Sequence, residues 1–110
     1  MATFVCINEL SSHAGEALNP KEFIEKKVSG EQISGLFFYS DSVNEFFNET
    51  RLDLWVKYAE SENIPIYACR NSLVNRNISD QVNPFINIVG LGQLIEGVVI
   101  SKRTLVIGKL

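Results

Sequence analysis

The sequence has few of the residues that announce a chemistry by themselves. It contains one histidine, two cysteines, one tryptophan and three prolines in 110 residues. Cys6 and Cys69 are far apart, form no CxxC pair and match no metal-ligand spacing, so a structural zinc site is excluded. His13 lies beside Ser11 and Ser12, but no spacing makes a nucleophile–base–acid set of them, and it reads as a loop histidine on the surface. Glycine-rich phosphate loops are absent. Gly90-Leu91-Gly92 is no dinucleotide fingerprint, because Ile95 stands at the third glycine position and the segment comes late in the chain. No cofactor and no metal are therefore expected.

Positive charge is also scarce. Ten lysines and arginines face thirteen acids, for a net charge of −3. The cations group only at Lys26–Lys27, Arg70, Arg76 and Lys102–Arg103, which is no basic stripe. Direct binding of nucleic acid is not expected, since the phosphate backbone dominates such affinity. Long apolar runs are missing, so no membrane span is expected. Met1 to Ile7 lacks the basic start and the apolar length of an export signal, which points to the cytoplasm and to free thiols there. Without export, the sequons at Asn48 and Asn77 carry no meaning.

Apolar residues, in contrast, make up 45% of the chain, enough for the core of one domain over residues 1–110. Thr3–Ile7 is a short β-forming run. Asn19-Pro20-Lys21-Glu22 predicts a helix start, with Asn19 capping, Pro20 in the first turn and Glu22 reaching back. Phe23, Ile24 and Val28 face inward from that helix, and Gly30 ends it. Ile33–Tyr39 predicts a second strand, followed by a loop at Ser40-Asp41-Ser42. Thr50 is the expected cap of a helix reaching about Asn63, with Leu52, Trp55, Val56 and Ala59 at i, i+3, i+4 and i+7. Ile64–Cys69 predicts a third strand, with Pro65 near its start where proline is tolerated. Asn71 or Ser72 then opens a short helix carrying Leu73, Val74 and Ile78. Phe85 to Ile88 is a brief extended segment. A helix follows Gly90, with Leu91, Leu94, Ile95, Val98 and Val99 inward, and Thr104–Ile107 closes the chain.

Alternation of this kind specifies α/β architecture: three α/β/α layers around a mainly parallel sheet of about five strands. Sites in such sheets lie at the carboxyl ends of strands. Cys69 falls at one, just before a helix start, where amide groups and the adjoining Arg70 favour a thiolate. Arg76, seven residues on, is roughly 10 Å away along a helix axis and too far to activate the thiol directly. Position alone leaves the choice open between a reactive Cys69 and a small buried apolar one. Cys6, inside an apolar strand, reads as core. Phe37, Phe38, Tyr39, Phe46 and Phe47 read as core or subunit contact rather than a ligand box.

Three stretches carry a resemblance. Gly35-Leu36-Phe37-Phe38-Tyr39-Ser40-Asp41-Ser42-Val43, Ile66-Tyr67-Ala68-Cys69 followed by Arg76 and Ile78, and Gly90-Leu91-Gly92-Gln93-Leu94-Ile95-Glu96 occur in the order found in the DsrE family. A closing strand of the Arg103–Ile107 type completes the match, which runs from Thr3 to Leu110. Within the family the chain is similar to TusD-like sulfurtransferase subunits. Asn77 stands where the family usually has a glycine, Lys102 where an acid is common, and Glu9–Val28 matches poorly. The resemblance implies the family's layered α/β fold, with Cys69 as the residue that accepts sulfane sulfur, holds it as a persulfide and passes it on. It also implies a hetero-oligomer with DsrF-like and DsrH-like subunits, an upstream donor and a downstream acceptor. The pathway implied is tRNA 2-thiouridine synthesis, or sulfur oxidation as in other relatives. Two readings stand beside this one: a non-catalytic assembly subunit, and a redox protein pairing Cys6 with Cys69.

Overall fold

The computed structural model describes residues 2–10, 19–28, 30, 32–78, 83–90, 92 and 103–108. Its elements are β1 (Ala2–Ile7), α1 (Pro20–Lys27), β2 (Gln32–Phe38), a 3-10 helix (Ser40–Phe46), α2 (Glu49–Glu62), β3 (Ile66–Cys69), α3 (Arg70–Asn75), β4 (Ile86–Val89) and β5 (Arg103–Ile107). The five strands form one sheet in the order β4-β3-β2-β1-β5, and every pairing is parallel. The chain steps outward from β1 to β4 and then returns to place β5 on the far side of β1. The fold is the α/β class expected from the sequence.

The central strands β1 and β2 are apolar where residues on both faces of the sheet are buried, whereas Arg103, Thr104 and Val106 of the edge strand β5 are exposed. Val5, Ile7, Leu36, Phe38, Ile66 and Ala68 point to one face. There they meet Phe23 and Ile24 of α1, Leu52, Trp55, Val56 and Ala59 of α2, and Leu73 of α3 in one continuous core. Trp55 is fully buried. Its ring meets Phe38 edge-on at 5.0 Å, and its indole N–H donates to Glu45 at 2.9 Å. Glu45 also pairs with Arg51 at 3.0 Å, so the polar handle of a buried tryptophan is satisfied. The alternate residues Phe4, Cys6 and Phe37 form a smaller cluster on the opposite face. Gly35 belongs to that face because its space is taken: a Cβ there would stand 3.0 Å from ring atoms of both Phe4 and Tyr67.

Several boundaries differ from expectation for local reasons. Asn19 caps α1, accepting from the Glu22 amide at 3.3 Å. The return bond from the Glu22 carboxylate is not formed among the described residues. α1 stops at Lys27, and Gly30 adopts a left-handed φ of 74° beyond it. Asn48, not Thr50, caps α2: its side chain accepts from the Arg51 amide at 3.1 Å. Asparagine is the stronger cap, and starting there places Glu49 in the first turn. Asn63 closes α2 in the left-handed conformation. β3 begins at Ile66, two residues late, because Pro65 can donate no ladder bond and offers only its carbonyl, to Leu36 at 3.0 Å.

The expected loop at Ser40–Ser42 is instead the start of the 3-10 helix. α3 opens at Arg70 with Cys69 itself at the cap, one to two residues before the predicted Asn71 or Ser72. The helix expected after Gly90, and the loop histidine His13, lie outside the described residues. No helix among the described residues is long and apolar enough to cross a membrane.

Candidate functional site: the carboxyl end of the third strand

Cys69 is the last residue of β3 and the N-cap of α3. It pairs in register with Val89 of β4. Ile66 and Ala68 point into the helix-covered core, so the period of two directs Tyr67 and Cys69 to the other face. There Cys69 packs beside Tyr39, Tyr67 and Val89 against the Phe4–Cys6–Phe37 cluster. It is half-buried and free, and its side chain makes no capping bond. The sulfur is therefore neither sealed in the core nor committed to a structural partner.

Cys6 differs in each respect. It is buried and also free, and burial pushes its thiol up to about 11. It pairs with Phe37 of β2, while Cys69 stands on β3, beyond β2. Two strand spacings amount to about 9–10 Å, past the reach of a disulfide without moving a strand. The redox pairing of Cys6 with Cys69 is excluded on this geometry.

Serine hydroxyls fix the turns around Cys69. The Ser40 amide donates to Ser72 Oγ at 2.8 Å. Ser40 has a left-handed φ of 55°, so this bond holds a strained turn at the end of β2 against the first turn of α3. Ser42 is buried, and its hydroxyl reaches the Ile7 carbonyl at the end of β1. It also accepts from the Tyr39 amide at 3.0 Å. These bonds tie together the ends of β1, β2 and β3. The sequence passage Ser40-Asp41-Ser42 was the only signal for them, and it reads equally well as a loop.

Arg76 does not turn toward the cysteine. Its guanidinium donates to Asp41 at 2.7 Å and to the Ser72 carbonyl at 3.2 Å, which clamps the end of α3 to the 3-10 helix. Arg70 is exposed. Asn77, the position where a glycine was expected, has a φ of 56°. Asparagine is among the few other residues that tolerate this backbone, so the substitution preserves the turn. Tyr39 stacks on Phe37 at 5.5 Å and accepts from the Asn8 amide group at 3.2 Å. Phe37, Phe38 and Phe46 are core, whereas Phe47 is exposed. Among the described residues no group of three histidine, cysteine or acidic side chains is placed to hold a metal.

Fold and site together define a parallel α/β protein that presents one accessible cysteine at a strand end. The chain belongs to the DsrE/DsrF-like family, whose model matches residues 6–109. A curated relative from Allochromatium vinosum, described as "Putative sulfurtransferase DsrE", is 29% identical over an alignment covering 72% of this chain and 76% of the relative. The crystal structure of the ychN protein from E. coli is similar in fold, with a TM-score of 0.64 at 17% identity, covering 96% of this chain and 99% of that one.

Proposed function

We propose that this chain is a sulfurtransferase subunit that carries sulfane sulfur on Cys69 in a relay. The observation that carries the reading is the placement of Cys69: a free, half-buried thiol at the cap of α3, at the strand end that its family motif marks. The Cys69 thiolate attacks the terminal sulfur of a donor persulfide. A new S–S bond forms on Cys69, the donor's S–S bond breaks, and the donor's inner sulfur leaves as a thiolate. No net oxidation occurs, and no metal is needed. The second transfer repeats the exchange, with the acceptor's thiolate attacking the outer sulfur now held on Cys69.

The partners of this reading are DsrF-like and DsrH-like subunits, an upstream donor and a downstream acceptor. Phe47 is 71% exposed and Val74 on α3 is 61% exposed, so both elements after the strand ends offer apolar contacts to such chains. The final product we assign to the relay is 2-thiouridine in tRNA, with sulfur passing through proteins rather than directly to RNA. The sequence motifs shared with TusD-like subunits support that destination.

Incubation with a cysteine desulfurase and cysteine tests the carrier role. Wild-type protein gains the mass of one sulfur, and Cys69→Ser gains none. Equal loading of both would reject the role. The assembly reading draws on the same exposed Phe47 and Val74. It predicts that a Cys69→Ser strain keeps full cellular function, while Phe47→Asp abolishes it. For the destination, deletion of the gene lowers tRNA 2-thiouridine. An unchanged level together with impaired sulfur oxidation would assign the relay to the other pathway.

A further inference from the structure

The amino end of the sheet, opposite Cys69, holds a cleft of about 450 Å³ that the sulfur chemistry does not use. It opens where the last turns of α1 and α2 meet the start of β2 and the segment entering β3. Val28, Ile33 and Ile64 give it an apolar wall, and Glu25, Tyr58 and Glu62 line its polar side. Tyr58 is only 8% exposed. Its carbonyl accepts from Ser61, but its hydroxyl has no partner among the described residues. No buried polar side-chain atom is left unsatisfied among those residues, so this oxygen opens onto the cleft. The Tyr58 ring is thus held in the core while its hydroxyl faces the cleft with no protein partner among the described residues, free to bond water or a ligand.

The charged side chains that line the cleft are the acids Glu25 and Glu62, although Lys26 and Lys27 stand in the last turn of α1 nearby. Among the described residues no lysine or arginine lines the cleft, and Lys27 of α1 lies over the Phe23 ring instead. Two helices end at the cleft, and helix carboxyl ends carry partial negative charge. Burial first, then Glu62 and Glu25, raise the Tyr58 hydroxyl to about 12, which puts both carboxylates within electrostatic reach of that oxygen.

We infer that this cleft binds an organic ammonium ion on a short aliphatic stem. Glu25 and Glu62 compensate the charge, the Tyr58 oxygen accepts one ammonium hydrogen, and Val28, Ile33 and Ile64 cover the stem. An anion would meet two like charges. A bare divalent metal finds no group of three ligating side chains among the described residues. A neutral molecule of the same shape forgoes the attraction of both carboxylates.

The test is a titration of the full chain with 1,4-diaminobutane at low salt near neutral pH, followed by amide NMR. Butyrate and 1-butanol serve as controls of equal stem length. Saturable shifts confined to residues 24–33 and 58–64 are expected for the diamine alone. Binding weakens roughly fivefold with each of Glu25→Gln and Glu62→Gln, as for other partly exposed charge pairs. It also weakens with added salt. Tyr58→Phe weakens it roughly two- to fivefold through the lost acceptor. Glu25 and Glu62 are exposed, so both single variants retain the fold, and both still load sulfur on Cys69 like the wild type. Acetyl-lysine amide is a second probe. If it binds as the diamine does, the site reads the ammonium of a lysine side chain as well as a free amine. If only the diamine binds, the ligand is a free amine. Absence of saturable diamine binding, equal binding of butanol, or wild-type affinity in the Glu25→Gln/Glu62→Gln double variant would overturn the inference.

Discussion

The two cysteines share a cluster on one face of one sheet, yet the fold gives them opposite properties. Cys6 lies within β1, between β2 and β5, and is 4% exposed. Cys69 ends β3, where the chain turns into α3, and it retains access to solvent. The strand interior removes a thiol from water on all sides and keeps it protonated. The strand end leaves Cys69 only half-buried and surrounds it with turns held by side-chain hydrogen bonds. Position along a strand, rather than residue type or the surrounding cluster, separates a packing thiol from an available one.

The largest difference should appear in alkylation of the native protein. With its thiol raised to about 11, Cys6 is thiolate in only about one molecule in a thousand at about pH 8, and burial limits access further. Iodoacetamide should label Cys69 and leave Cys6 unmodified until the chain is unfolded. Comparable native rates at the two sites would break the comparison.

A smaller effect follows from linkage. The Cys6 thiol titrates near 9.0 when unperturbed and near 11 in the folded chain. The stability it contributes is complete below pH 9. It falls as pH rises towards 11, by on the order of 2–3 kcal/mol, and stays flat beyond. Denaturant melts of wild type and Cys6→Ala across this range should converge by that amount, Tyr58 contributing equally to both. A constant gap between the two curves would show that Cys6 is not held protonated.

The smallest effect sharpens the other side of the comparison. Ser72→Ala removes the acceptor of the Ser40 amide beside Cys69 and should cost about 1 kcal/mol. Hydrogen exchange at the Ser40 amide should quicken, while amides of β1 around Cys6 stay protected. Equal loss of protection at both places would mean that the two regions do not behave independently.

How far the sequence reveals this arrangement depends on how local each cause is. The inward stripe of α2 is legible because Leu52, Trp55, Val56 and Ala59 repeat at the helix period, and all four are buried. The strands are legible from their apolar runs, and Cys69 from its place at the end of one. The cap of α2 is less so, because Asn48 and Thr50 are both competent caps two residues apart. Tyr58 is missed as a buried residue because it lies beside the stripe and is covered by the neighbouring α1. The 3-10 helix and its serine bonds are hidden for a tertiary reason: Ser42 finds its partner at Ile7, 35 residues earlier. The face taken by Cys69 depends on which alternate residues of β3 the helices cover, and no local pattern states that.

Availability of the strand-end thiol for sulfur is tested most directly by mapping the added atom within one wild-type molecule. After loading by a desulfurase and alkylation that preserves persulfides, trypsin separates the two cysteines, with Cys69 in the peptide ending at Arg70 and Cys6 in the amino-terminal one. The account predicts an extra sulfur on the Cys69 peptide and none on the Cys6 peptide. Sulfur on Cys6, or spread evenly over both peptides, would contradict it.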